Sequence, residues 1–159
     1  SLESVVGRML NKQKLTLALA ESCTGGGLAH RITNVPGASA YLLEAVVAYA
    51  NESKTSRLGV SGATLRAHGA VSKAAALEMA RGVRTASGAS VGLSVTGIAG
   101  PSGGTPEKPV GLVWFGLSGP AGAPDEAHES RFTGTRTDIK ERAATRALDL
   151  LRRRLLRAT

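Results

Sequence analysis

The sequence has one cysteine, Cys23, so it can form neither an intramolecular disulfide nor a zinc centre built on several thiolates. Aromatic residues make up 3% of the chain: Tyr41, Tyr49, Trp114, Phe115 and Phe132. Single-strand binders stack bases on aromatic rings set between basic residues, and that interleaving is missing. No apolar run approaches the roughly 18 residues of a membrane span. The opening SLESVVGRMLNKQ is acidic and polar where a secretory leader would be basic and then apolar. The three histidines, His30, His68 and His128, are scattered at no ligand spacing and read as surface residues. G-x-G-x-x-G, a P-loop lysine and H-E-x-x-H are all missing, which weakens dinucleotide, nucleoside-triphosphate and zinc-protease readings together. These absences predict a cytoplasmic chain with no membrane association, no cofactor and no metal. The chain begins at Ser1, as a trimmed chain or a piece of a longer one would. Its 159 residues predict a single domain over residues 1–159.

What is abundant is positive charge. Twenty Lys+Arg against twelve Asp+Glu give a formal charge of +8, which suits anionic partners such as phosphate esters. Eight of the cations (Arg136, Lys140, Arg142, Arg146, Arg152, Arg153, Arg154, Arg157) fall in one C-terminal helical stretch. With so few aromatics, this clustering weighs against nucleic acid as the main partner.

Hydrophobic spacing predicts an opening amphipathic helix on Leu2, Val5, Val6, Met9 and Leu10. A buried strand follows at 15–20, then the polar turn ESCTGGG and a helix carrying Leu28, Ala29 and Ile32. Further strands are predicted at 42–50, 89–97 and 110–119, and a fifth in AHESRFTG. Short helices are expected in NESKTSRLG and SGATLRAHG. A longer one is capped by Ser72 and stopped by Gly88, with Leu77, Ala80 and Val83 inward. A final helix starts near Asp138, capped by Thr137 or Asp138. Strands alternating with helices give an α/β fold with helices on both faces of a sheet. The last three strands run without a helix between them, so the sheet is expected to be partly antiparallel or mixed.

Three segments carry chemistry. In AESCTGGG, Ser22 closes a buried strand before a Gly-rich turn into a helix, where α/β sheets hold ligands. Backbone N–H groups of Thr24, Gly25 and Gly26 could receive an anion or an oxyanion there. A plain strand–helix turn with a Ser/Thr cap reads equally well, and Cys23 is a rival nucleophile. In AYANESK, Tyr49 and Lys54 follow a strand. Lysine can deprotonate serine once burial or a nearby cation lowers its pKa, although a solvated helix-surface lysine is the simpler reading. In SVTGIAGPSGG, Gly100-Pro101-Ser102-Gly103-Gly104 matches G-x-S-x-G. The following TPEKP forbids the helix that a nucleophile elbow requires. Thr96, Gly97 and Gly100 read better as a backbone nest for phosphate or carboxylate, with Arg136 as a guanidinium fork.

Taken in order, LAESCTGG, NVPGAS, VVAYANESK, LGV, HGAVS, SVTGIAGPSGGTPEKPVGLVW and FTGTR resemble the CinA C-terminal domain family, the nicotinamide-nucleotide amidohydrolases. The resemblance runs from about Leu17 to Leu151. It implies a three-layer α/β/α sandwich around a central mixed sheet, usually a homodimer. It also implies hydrolysis of nicotinamide mononucleotide (NMN) to nicotinate mononucleotide and ammonia by a metal-independent Ser/Lys mechanism. The family's serine falls on Ser22, its tyrosine and lysine on Tyr49 and Lys54, its threonine on Thr96 and its late arginine on Arg136. The chain departs from the family at Leu43-Glu44-Ala45, where Gly-Gly is common, and at Ala50, where a small hydroxyl residue is common. Arg136 and the Thr96–Gly104 loop are then expected to hold the substrate phosphate. Two other classes compete: a non-catalytic competence or repair protein using its basic last helix, and a Tyr/Lys reductase, which the missing dinucleotide pattern disfavours.

Overall fold

The computed structural model describes residues 1–158. In chain order the elements are α1 (Leu2–Gln13), β1 (Leu17–Glu21), α2 (Gly27–Thr33), a 3-10 turn (Ala38–Ala40), β2 (Leu42–Val47), α3 (Asn51–Leu58), α4 (Gly62–His68), α5 (Lys73–Ser87), β3 (Val91–Gly97), β4 (Leu112–Ser118), β5 (Glu126–Arg131) and α6 (Arg136–Arg157). The five strands form one sheet in the order β2-β1-β3-β4-β5. β1 runs parallel to β2 and β3, whereas β4 is antiparallel to both of its neighbours. Helices separate β1, β2 and β3 and allow parallel crossovers, while the helix-free links from β3 to β5 reverse the chain. The result is the expected mixed sheet between two helical layers.

Alternation along the strands sends residues to two different cores. Leu17, Leu19, Leu93, Val95, Phe115 and Leu117 face a large apolar layer completed by α1, α2 and α6. Ala18 and Ala20 face the other side, where Met79 and Val83 of α5 and Leu58 of α3 close a smaller core. That second layer is built on close approach. A Cβ on Gly92 would lie 2.2 Å from the Ala80 carbonyl oxygen, and one on Gly116 would lie 2.2 Å from that of Ala76. Ser94 donates to the same Ala76 oxygen at 2.6 Å. Small residues on both surfaces let the α5 backbone lie almost against the sheet.

Several element ends differ from the sequence expectation. β1 starts at Leu17 because Thr16 bonds Ser90 instead: the Thr16 N–H donates to Ser90 Oγ, and the Ser90 N–H to Thr16 Oγ1, each at 3.0 Å. β2 stops at Val47, three residues early, because the chain beyond turns into α3. β5 spans 126–131 and ends before Phe132. α6 begins at Arg136, and its cap is Thr135, not Thr137 or Asp138. Thr135 Oγ1 accepts from the Asp138 N–H, and the Asp138 carboxylate accepts from the Thr135 N–H. α5 has the expected cap and stop, with the Ser72 hydroxyl accepting from Ala75 N–H and Gly88 in the left-handed region. Met79 rather than Leu77 fills its buried stripe. Among the described residues no helix is long and apolar enough to cross a membrane.

Gly92→Ala should destabilise the fold by about 1–3 kcal/mol, because the α5 backbone has to move away from the sheet. Gly27→Ala, where a Cβ meets nothing within 4 Å, should be near neutral. Urea denaturation of both variants checks the contrast.

Candidate active site

The chain leaves β1 for β2 on one side and returns to β3 on the other, so the strand order reverses at β1. Crevices at the carboxyl ends of parallel strands beside such a reversal are where α/β sheets hold ligands. Ser22 stands there, one residue beyond β1, with its N–H donating to the Val95 carbonyl of β3 at 3.0 Å. Its side chain is buried but not sealed, at 8% exposure.

The turn after Ser22 is held by a residue that sequence reasoning missed. Glu21 is completely buried. One carboxylate oxygen accepts from the Thr24 hydroxyl at 2.6 Å and from the N–H groups of Gly26 and Leu28 at 3.2 and 3.0 Å. The other accepts from Ala29 N–H at 2.9 Å. Glu21 therefore caps α2 from the end of the preceding strand and uses the N–H groups that were expected to face a ligand. Gly26 is removed from the expected oxyanion site, and the Gly25 N–H is spent on the Ser22 carbonyl at 3.0 Å. Among the described residues, the N–H groups of Cys23 and Thr24 are the two in this turn that no protein oxygen accepts. The available signal was a carboxylate ending an otherwise apolar strand; it reads just as well as the first polar residue of a loop.

Lys54 lies on the first turns of α3 and is 1% exposed, which overturns the solvated-surface reading. Its Nζ donates to the carbonyl oxygens of Ala48 and Tyr49 at 3.0 and 3.1 Å. Burial lowers its pKa, opposed by the charge of the Cys23 thiolate. The Ala48 N–H bonds the Glu21 carbonyl at 2.9 Å, so the anchor of Lys54 is next to Ser22 across the β1–β2 pair. Cys23 behaves in the opposite way. Burial pushes its thiol up to about 12, so it stays protonated and poorly nucleophilic.

Arg136, the first residue of α6, ties the remaining parts together. Its guanidinium donates to the Gly100 carbonyl at 2.7 Å and to the Tyr49 hydroxyl at 2.9 Å. Thr96 sits nearby, but its hydroxyl donates to the Ala70 carbonyl at 2.9 Å and is 1% exposed. Gly97 is needed for packing, since a Cβ would lie 2.7 Å from the Val113 side chain. The residues expected from the sequence thus gather at one end of the sheet. Arg136, Thr96 and Gly97 nevertheless have their donors or their space committed to protein partners, which displaces them from the expected phosphate nest. Ser102 lies in an exposed helix-free loop, as its prolines demand.

Glu21→Ala should lower stability by about 3 kcal/mol or more in urea denaturation, because it orphans several buried donors. Glu21→Gln should lose less, since its amide oxygen can still cap. Lys54 gives a pH signature. Its folded pKa lies below the ordinary 10.5, so protonation favours the unfolded chain. The resulting penalty is fully present below the lowered value and disappears as pH rises toward 10.5. Denaturation across that range should show wild-type stability gaining on Lys54→Met as pH increases.

Comparison with known proteins agrees with this geometry. The CinA C-terminal domain family model matches residues 1–155. A putative competence-damage inducible protein of Moorella thermoacetica is 52% identical over 155 residues, covering 98% of the chain and 37% of that protein. A CinA-like protein of Kosmotoga olearia is 50% identical over 156 residues, with the same two coverages. The chain therefore spans a little over a third of these relatives. Among solved structures, a competence-damaged protein (CinA) superfamily member from Klebsiella pneumoniae superposes with a TM-score of 0.93 at 35% identity, covering 98% of this chain and 96% of its own. Competence/damage inducible protein CihA from Agrobacterium tumefaciens gives 0.89 at 39% identity, covering 94% and 93%. With its turn, lysine and arginine in this arrangement, the chain belongs to the CinA C-terminal domain family.

Proposed function

We propose that this domain hydrolyses the carboxamide of NMN to nicotinate mononucleotide and ammonia, with Ser22 as nucleophile and Lys54 as base. The observation that carries the reading is the state of Lys54. A neutral amine has two N–H bonds and one lone pair. The carbonyls of Ala48 and Tyr49 account for both N–H bonds, so the lone pair is left to take a proton. Burial supports the neutral form, and Ser22 is the hydroxyl beside it.

Ser22 Oγ attacks the carboxamide carbon and its proton passes to Lys54 Nζ. The N–H groups of Cys23 and Thr24 are the donors left in the turn to stabilise the oxyanion. Lys54 then protonates the departing nitrogen, the C–N bond breaks and ammonia leaves an acyl-serine. Water adds to that ester, losing its proton to Lys54, and Ser22 recovers a proton as the acid is released. Tyr49 receives an Arg136 N–H on its oxygen, so its own O–H remains free to orient the substrate amide or relay a proton.

The nucleic-acid reading has less support. Arg146, Arg152 and Arg153 converge on Asp149 at 3.2, 2.8 and 2.8 Å, while Arg154 and Arg157 flank Glu126. Much of the basic helix is thus neutralised within the chain. The homodimer belongs to the same proposal. β2 is a sheet edge carrying Leu43 and Val47, both nearly half exposed, and it offers an apolar surface to a second copy.

Ser22→Ala and Lys54→Met should each reduce ammonia release from NMN by about 10⁴-fold or more, with the double variant little worse than either. Cys23→Ala should be mild, and EDTA should leave activity intact. An active Ser22→Ala with a dead Cys23→Ala would move the nucleophile to the thiol, and strict metal dependence would overturn the mechanism. Val47→Lys should shift a dimer toward monomer in light scattering.

A further inference from the structure

We infer that the phosphate of the substrate sits in the cleft between α2 and α6, with Lys140 as its cation. The inference rests on the function proposed above and assigns the other end of the same ligand. The cleft has a volume of about 610 Å³ and opens beside the catalytic turn, with Thr24 and Gly25 on one wall and Thr137 and Lys140 on the other. A Cβ on Gly25 would lie 3.6 Å from Lys140 Nζ, so the ammonium stands over the turn itself. Ser22 and Gly25 close a β-turn through their 3.0 Å hydrogen bond, which keeps their Cα atoms within about 7 Å. That separation suits a nucleoside monophosphate, whose ribose spaces the reacting ring from the phosphate.

The other candidates are occupied. Arg136 is bound to Gly100 and Tyr49. Arg31, also in the cleft, is held by Glu3 at 2.5 Å and by the Thr145 hydroxyl at 2.6 Å. The positive end of α2 is consumed by Glu21. Lys140 is half-buried and makes neither an ion pair nor a hydrogen bond with any described residue. It lies four residues after Arg136, so both project from the same side of α6. Glu141 is the one carboxylate lining the cleft, against the cations Lys140 and Arg31. Gly25 has φ +60 and carries no side chain, which keeps the path from Ser22 to Lys140 open. Substrate discrimination then divides along the ligand: Ser22, Lys54 and Tyr49 address the carboxamide, and Lys140 addresses the charge at the far end.

The test compares NMN with nicotinamide riboside on wild type, Lys140→Met and Lys140→Arg. The preference for nucleotide over riboside, taken as the ratio of kcat/KM values, should fall roughly tenfold or more in Lys140→Met, through KM, and recover in Lys140→Arg. An unchanged preference overturns the inference, as does a preference that collapses in Arg136→Ala but not in Lys140→Met. Failure of the underlying reading looks different, because wild type would release ammonia from neither compound. The cleft is then judged with inorganic phosphate, followed by the amide resonances of Gly25 and Lys140. Saturable shifts lost in Lys140→Met support the site, and no saturable shift overturns it.

Discussion

A carboxylate placed at the end of a buried strand, without access to water, is tolerable only when its oxygens are fully used. Glu21 meets that condition with the Thr24 hydroxyl and the N–H groups of Gly26, Leu28 and Ala29. The strand, the turn and the first turn of α2 become one hydrogen-bonded unit, and Ser22 is carried at its centre. The same bonds neutralise the positive end of the helix. Electrostatics in the crevice consequently fall to side-chain cations, each from a different element: Lys54 from α3, and Arg136 and Lys140 from α6.

The opposite layer supplies a second constraint. Gly92 and Gly116 on the sheet face Ala76 and Ala80 on α5, and Gly82 of α5 admits the Leu58 carbonyl at the end of α3. α3 is thereby drawn close to the sheet, and Lys54 with it. A long flexible side chain reaches the carbonyls at the end of β2 because its helix is packed tightly enough to aim it there. The buried amine depends on glycines far along the sequence from the site.

The sequence periodicity located every strand and helix, and it placed Ser22, Tyr49, Lys54 and Arg136 at element ends where they meet. It failed where environment rather than pattern decides the outcome. LLEAVVAYA has the composition of an interior strand, yet β2 is the sheet edge and Leu43 and Val47 are nearly half exposed. Edge or centre is set by the order of strands, which no local window contains. Lys54 looks like any helix-surface lysine until α5 and β2 enclose it. Glu21 is ambiguous because one carboxylate can end a strand, begin a loop or cap a helix, and its three N–H partners lie five to eight residues onward. Thr96 failed differently: its hydroxyl is at the expected end of the sheet, but the Ala70 carbonyl reaches it first.

The anchoring of Lys54 has a consequence for how such a domain can diverge. Its two partners are main-chain oxygens, which every amino acid supplies equally. Substitution at position 48 or 49 changes the local side chain without deleting either acceptor. The amine is instead sensitive to the path of the backbone, so an insertion or deletion between β2 and α3 would disable it where many replacements would not. Sequence drift in that segment should preserve its length before it preserves its letters.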